Sequence, residues 1–233
     1  MHDASGLAPQ LYEVVEDKRH IFIVHELCSG GELYDALAKL REFDEGRAAR
    51  LFRAICTSVS GMHARGYLHR DLKPENVLFV ESSQPRGEEE GWAEIQGRWV
   101  SPRIIDLGMS DRYVPDRPVR GVCGSPGFIA PEILRGEVHT PKMDVYSLGV
   151  MLFMMLTGLV PYGEDVSRDL KYGNLPLAEA KHWADGSTAR LSSHVRDLLE
   201  RMLDPKAETR ISLGEVLEHS WFQPGGQGSF TLK

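Results

Sequence analysis

The segment from His69 to Asn76 constrains the fold of this chain more than any other, because its charged side chains lie between two regular elements. It reads His-Arg-Asp-Leu-Lys-Pro-Glu-Asn, and Pro74 interrupts any helix because proline lacks a backbone N–H. Residues 77–80 after it are typical of a short strand. The preceding apolar residues recur with helical spacing: Ala48, Leu51, Phe52, Ile55, Val59 and Met62. The charged side chains must therefore project from a loop between a helix and a strand.

The composition excludes several classes of protein. Of the 233 residues, 42% are hydrophobic and 26% are charged, an ordinary globular composition that excludes collagen-like, wholly disordered and disulfide-scaffold chains. With 27 Lys or Arg against 34 Asp or Glu, the net charge is -7, which argues against nucleic-acid binding. The three cysteines form no C-x-x-C pair. The longest apolar run, Leu148–Leu156, is about half of the roughly 18 residues that a membrane span needs. With no secretory signal in residues 1–6, we expect a cytosolic or nuclear protein without a membrane segment.

The hydrophobic pattern predicts a short β region followed by a mainly helical one. Residues 11–15 and 20–27 are expected to form a hairpin, and helices are expected around residues 143–157, 193–203 and 213–222. Residues 81–102 form an insert rich in Ser, Gly, Pro and Glu, expected to be a mobile surface excursion carrying a local hairpin. The tail from residue 223 to 233 is expected to be flexible.

Two further motifs follow the charged loop in a fixed order. Asp106-Leu107-Gly108 comes after a second short strand, and Ala130-Pro131-Glu132 comes after that. Taken singly, Asp106 is equally consistent with a helix cap and Asn76 with a turn residue. The ordered set resembles the catalytic half of a protein kinase, whose signatures are HRD, DFG and APE in that order.

The resemblance covers residues 11–222 and implies an α+β, protein-kinase-like fold. Residues 1–27 would be a remnant of the small lobe and the entry to the hinge, and residues 28–222 the large lobe with insert 81–102. The Lys-Pro-Glu-Asn sequence resembles the serine/threonine class. Residues 28–33, 122–128 and 219–222 look most like the calcium/calmodulin-dependent kinase group.

Family resemblance also implies the catalytic roles. Asp71 would accept or orient the proton of the substrate hydroxyl, and Lys73 would lie against the γ-phosphate of ATP. Asn76 and Asp106 would hold Mg²⁺, whose preferred ligands are oxygens. The implied cofactors are therefore ATP and Mg²⁺, and the implied partners are proteins phosphorylated on Ser or Thr.

Other matching residues resemble structural parts of the family. Glu132 and Arg210 resemble a buried ion pair that anchors the peptide-binding loop. Asp144 resembles the residue that braces the catalytic loop, and His69 and Leu107 resemble members of an internal apolar stack.

The resemblance also places the nucleotide and peptide sites. Glu26 through Cys28 match the hinge that hydrogen-bonds adenine, Leu78 matches the floor of that pocket, and His25 stands where an apolar residue is more usual. Glu32 and Glu75 resemble acidic residues that contact ribose and substrate arginines, which predicts a basic residue upstream of the phosphorylated position. The alternative is that both are solvated surface glutamates.

The sequence also departs from the family. It contains no G-x-G-x-x-G motif and no lysine placed to pair with the ATP phosphates from a strand before the hinge. We therefore expect the chain alone to be inactive or very weakly active. Two explanations are open: a truncated form of an active kinase, which the intact Asp71, Lys73, Asn76 and Asp106 favour, or a pseudokinase that serves as a binding module.

The expected regulation differs from that of many relatives. Arg70 precedes the catalytic Asp71, a feature of kinases whose activation loop is organised by a phosphate. Gly121 occupies the usual acceptor position, four residues before Ser125, and Ser125 resembles the hydroxyl that contacts Asp71 and Lys73. Ser110 and Tyr113 are the other candidate acceptors. No calcium-binding loop is present, and the tail is too poor in basic residues to bind calmodulin.

Overall fold

The computed structural model describes residues 8–84, 91–114, 116–162, 177, 180–223 and 226. The strands are β1 (Leu11–Glu16), β2 (Ile21–His25), β3 (Tyr67–Leu68), β4 (Val77–Ser82), β5 (Ala93–Ile95), β6 (Arg98–Ile104) and β7 (Asp111–Arg112). The helices are α1 (Leu33–Leu40), α2 (Glu45–Ala64), α3 (Pro131–Leu134), α4 (Pro141–Thr157), α5 (Lys181–Ala184), α6 (Ser193–Met202) and α7 (Leu213–Leu217). Single 3-10 turns cover Pro74–Asn76 and Ser220–Phe222.

Strands β1 and β2 form the expected antiparallel hairpin. The chain turns at Asp17, whose Oδ1 accepts hydrogen bonds from the backbone N–H groups of Arg19 and His20, both at 2.7 Å. Every residue of the two strands is exposed, including the large apolar residues Ile21 and Ile23. Two-stranded hairpins have little stability on their own, so this hairpin depends on its attachment to the rest of the chain.

The core lies around α4, which is buried on nearly every side. Thr140 caps its first turn by accepting a hydrogen bond from Lys142 N, and Gly158 ends it in the left-handed region at φ 71°. Helix α2 packs against α4, α7 and the sheet, and α6 packs against α4. Among the described residues, no helix is both long and apolar enough to span a membrane.

The insert is packed rather than mobile where the structure describes it. A local hairpin is confirmed, because β5 pairs with β6 and β6 pairs with β4 in the order β4-β6-β5. The expected surface excursion is wrong for Trp92, Ala93 and Ile95, which are buried, whereas residues 96–98 at the turn between β5 and β6 are exposed. A Cβ on Gly91 would lie 2.2 Å from Cβ of Ala54, so only glycine lets this backbone approach α2 so closely. Residues 85–90, and the tail beyond residue 223 except residue 226, lie outside the described part.

Candidate active site

The predicted catalytic loop runs from β3 to the 3-10 turn, and its side chains bond one another. Asn76 Nδ2 donates hydrogen bonds to the backbone oxygen of Asp71 at 2.8 Å and to its Oδ2 at 3.4 Å. Asp71 N in turn donates to His69 Nδ1 at 3.3 Å. Because the amide nitrogen of Asn76 is engaged, its Oδ1 is the end available to a cation.

Asp71 and Lys73 meet at the hydroxyl of Ser125. Ser125 Oγ donates to Asp71 Oδ1 at 2.8 Å, Lys73 Nζ donates to Ser125 Oγ at 2.8 Å, and Lys73 Nζ lies 3.3 Å from Asp71 Oδ2. Burial raises the pKa of Asp71, but the hydrogen bonds from Ser125 and Lys73 outweigh it, so the pKa lies below its ordinary value. The carboxylate is therefore charged at neutral pH beside a cation and a hydroxyl.

The backbone brings Asp106 beside the catalytic loop. Ile105 N donates to the backbone oxygen of Asn76 at 3.0 Å, which places the next residue, Asp106, near that loop. Asp106 has a left-handed φ of 61°, a conformation that aspartate tolerates better than most residues, and its Oδ1 accepts from Gly108 N at 3.1 Å. Within the described ranges, no group of three His, Cys, Asp or Glu side chains could hold a metal by itself. A metal held by Asn76 and Asp106 would therefore need further oxygens from a bound ligand.

Asp144 at the start of α4 braces the loop, as its sequence position predicts. Its carboxylate accepts from the backbone N–H groups of His69 and Arg70, both at 2.9 Å, and from His63 Nε2 at 2.8 Å. These bonds hold Arg70 at a φ of 70°, which is strained for a residue with a Cβ. Burial raises the pKa of Asp144, but these hydrogen bonds outweigh it and the pKa lies below its ordinary value. His63 was missed from the sequence, where nothing but its place in the last turn of α2 marks it.

Arg70 has a counterion that the sequence motifs did not reveal. Its guanidinium donates to the backbone oxygen of Met109 at 2.5 Å and lies 3.4 Å from Asp111 Oδ2. Gly121, at the usual acceptor position, accepts a hydrogen bond at 2.7 Å from Nε2 of His139, a buried residue absent from the motifs. Arg70 is therefore held by Asp111, and the backbone at Gly121 is held by His139.

The expected apolar stack forms only in part. His69 is fully buried, and its Nε2 donates to the backbone oxygen of Ile105 at 3.1 Å. Leu107 is 60% exposed, so its predicted place in the stack is wrong among the described residues. The reason is physical: Leu107 follows the left-handed residue Asp106, where the chain leaves β6 and turns away from the core.

The predicted ion pair of Glu132 and Arg210 is present and buried. The guanidinium donates to both carboxylate oxygens, at 2.6 and 2.8 Å, and the two side chains are at most 2% exposed. Arg210 also donates to the backbone oxygens of Lys142 and Asp204 and lies over the ring of Tyr146. The pair ties α3 to the segment before α7.

The predicted hinge residues connect β2 to α1. Burial and the neighbouring carboxylate of Glu26 raise the pKa of the Cys28 thiol. Farther along, Glu32 forms an isolated backbone bridge with Leu78 of β4. His25 Nδ1 donates to the backbone oxygen of Glu26 at 2.8 Å, so this polar residue bonds the hinge itself.

The two acidic residues predicted to bind a peptide lie on adjoining elements. Glu32 immediately precedes α1, and Glu75 lies in the 3-10 turn that packs against α1. Glu75 Oε2 is buried and has no hydrogen-bond partner within the described residues. Among the described residues, no hydrogen bond or ion pair joins the carboxylate of Glu32 or of Glu75 to Ser125.

Comparisons with known proteins match most of the chain. The protein kinase domain family matches residues 9–222. Calcium-dependent protein kinase 21 of Oryza sativa subsp. japonica is 36% identical over 217 residues, covering 92% of this chain and 35% of that protein. Calcium-dependent protein kinase 5 of Plasmodium falciparum (isolate 3D7) is 32% identical over 218 residues, covering 92% of this chain and 35% of that protein.

A third relative, calcium-dependent protein kinase SK5 of Glycine max, is 34% identical over 210 residues, covering 88% of this chain and 37% of that protein. The chain thus spans about a third of the length of the curated relatives that it matches. The predicted fold class and the resemblance to serine/threonine kinases are confirmed by the family match and these relatives. This chain belongs to the protein kinase domain family.

Proposed function

We propose that this chain carries catalytic machinery that transfers the γ-phosphoryl group of ATP to Ser or Thr residues of proteins, with Mg²⁺. The observation that carries the proposal is the triangle of Asp71, Ser125 and Lys73, whose polar atoms lie within 3.3 Å of one another. Phosphoryl transfer needs a positioned carboxylate, a cation and metal ions, with little covalent chemistry. The triangle supplies the carboxylate and the cation at one point.

Each side chain has a separate task in this proposal. Asp71 orients the substrate hydroxyl and receives its proton, in the geometry that the Ser125 hydroxyl adopts toward Asp71 Oδ1. Lys73 balances charge on the transferred group. Asn76 and Asp106 hold Mg²⁺ through their side-chain oxygens, and the bound metal supplies charge neutralisation for the ATP phosphates.

The proposal includes a substrate preference and a mode of regulation. Glu32 and Glu75 favour peptides with a basic residue upstream of the acceptor, since the buried Oε2 of Glu75 has no partner among the described residues. Asp111 already supplies a negative charge to Arg70, so activity needs no phosphate near Gly121. We place this activity in the cytoplasm or nucleus.

A second candidate function is that of a non-catalytic binding module. It is favoured by the absence of a G-x-G-x-x-G motif from these 233 residues, because that loop covers the ATP phosphates in active kinases. We expect phosphate transfer by the chain alone to be weak for the same reason. Nucleotide binding therefore separates the two candidates better than turnover does.

The test is a thermal-shift measurement with ATP, with and without Mg²⁺. At about a hundredfold excess of ATP over Kd, binding adds about 2.7 kcal/mol and raises Tm by about 5–10 °C. Asp106→Asn should abolish the part of the shift that depends on Mg²⁺, whereas Glu94→Gln, at an exposed carboxylate of β5, should leave it unchanged. No shift under either condition, with partner binding intact in Asp71→Ala, would support the binding module instead.

A further inference from the structure

Arg103 on β6 is a buried cation whose guanidinium makes three hydrogen bonds. Its side chain is 7% exposed. The guanidinium donates to Ser101 Oγ at 2.9 Å, to the backbone oxygen of Pro102 at 3.0 Å and to Glu26 Oε2 at 3.2 Å. Only the last contact brings a negative charge, so Glu26 is the group that makes burial of this cation tolerable.

The contact with Glu26 fixes the first residue of the hinge. Glu26 N donates to the backbone oxygen of Gln10 at 2.8 Å, so the same residue also holds the hairpin of β1 and β2. Glu26 and Arg103 are 77 positions apart, and their ion pair joins the hairpin to β6. Glu26 is therefore held by its backbone to Gln10 and by its side chain to Arg103.

The far end of the hinge is fixed differently, by backbone contacts with β4. Gly30 N donates to the backbone oxygen of Phe79 at 2.7 Å, and Phe79 N donates to that of Gly31 at 2.9 Å. A Cβ on Gly30 would lie 2.6 Å from Cβ of Phe79, so this approach requires glycine. The segment between Glu26 and Gly30 is thus held to β4 by backbone at Gly30, and to β6 by the side-chain ion pair at Glu26.

Arg103 also neighbours the predicted floor of the nucleotide pocket. In the β4–β6 ladder its Cα is paired with that of Leu78. The same residue therefore touches the hinge and lies on the strand beside the floor. Among the described residues, no other ion pair reaches the hinge from this sheet, and the second cation of β6, Arg98, pairs with Glu81 at its exposed end.

We propose that Arg103 is a positioning residue for the nucleotide base, acting through Glu26 to fix the hinge backbone against the strand that carries Leu78. This inference rests on the proposed nucleotide binding. The base would be recognised by backbone groups of the hinge, and the ion pair is the contact that ties Glu26 to the strand beside Leu78. A shift of those groups weakens hydrogen bonds to the base without touching the residues that face the phosphates.

The test is the Kd for ATP with Mg²⁺, measured by calorimetry for the chain, Arg103→Met, Glu26→Gln and the double variant. Each single substitution should weaken binding about tenfold, the equivalent of one hydrogen bond. Because both act through one contact, the double variant should be weaker than either single variant by no more than about twofold. Arg98→Met is the matched control on the same strand and should bind within about twofold of the unchanged chain.

The possible outcomes separate this inference from the proposed function. If the unchanged chain does not bind ATP, the proposed function fails and the inference falls with it. If the chain binds and Glu26→Gln binds equally well, the inference alone is overturned. Additive losses in the double variant would also overturn it, because Arg103 would then act on its own strand rather than through Glu26. Should Arg103→Met not fold by circular dichroism, Glu26→Gln decides the question.

Discussion

Replacing Arg210 with Met should destabilise the chain strongly, because it leaves a buried carboxylate without its partner. Glu132 is 1% exposed and receives both of its short hydrogen bonds from Arg210. Removing one partner of a buried ion pair costs about 3–5 kcal/mol. The loss of donors to the backbone oxygens of Lys142 and Asp204 acts in the same direction.

The assay is urea unfolding at pH 7, followed by circular dichroism. With a slope of about 2–3 kcal/mol per M, a loss of about 3–5 kcal/mol lowers the midpoint by about 1–2.5 M. The double variant Glu132→Leu with Arg210→Met should be more stable than Arg210→Met alone, because it removes the uncompensated charge and leaves apolar groups in its place.

The matched control is Glu137→Gln, which removes one partner of the partly exposed pair of Arg135 and Glu137. Its side chains are 29% and 45% exposed, so water screens the pair and the expected loss is about 0.2–1 kcal/mol. A midpoint for Arg210→Met within the range of this control would refute the reasoning. So would a double variant less stable than the single one.

Two predictions concern titration. The pKa of Asp144 is lowered from its ordinary value of 3.8, so the stability that its carboxylate contributes is complete above that value and is lost as pH falls through the folded-state pKa. Between about pH 5 and pH 2, Asp144→Asn should therefore lose less stability than the unchanged chain in urea unfolding. Parallel losses of stability in the two proteins would contradict this. Ser125→Ala removes a hydrogen bond to the carboxylate of Asp71 and should raise its pKa, measurable by carbon NMR; an unchanged titration would show that Lys73 alone holds it down.

Much of the catalytic loop could be predicted because its determinants are local. Pro74 excludes a helix at that point, and the spacing of Asp71, Lys73 and Asn76 is fixed within eight residues of chain. The long helices follow from apolar residues that recur with a 3.6-residue period. In the insert, Trp92 and Ile95 indicate a local hairpin, but the sequence does not reveal that these side chains are buried, because burial depends on what the hairpin packs against.

The sequence by itself determined which residue types were available for the proposed phosphoryl transfer and in what order along the chain. Only the tertiary structure decided their partners: Asp111 for Arg70, His63 for Asp144, and Glu26 for Arg103. Local pattern cannot reveal these pairs, because they form between elements far apart in sequence whose approach is set by tertiary packing. The strength of an ionic contact depends on the distance between its two charges and on how deeply they are buried, and both are properties of the folded chain alone.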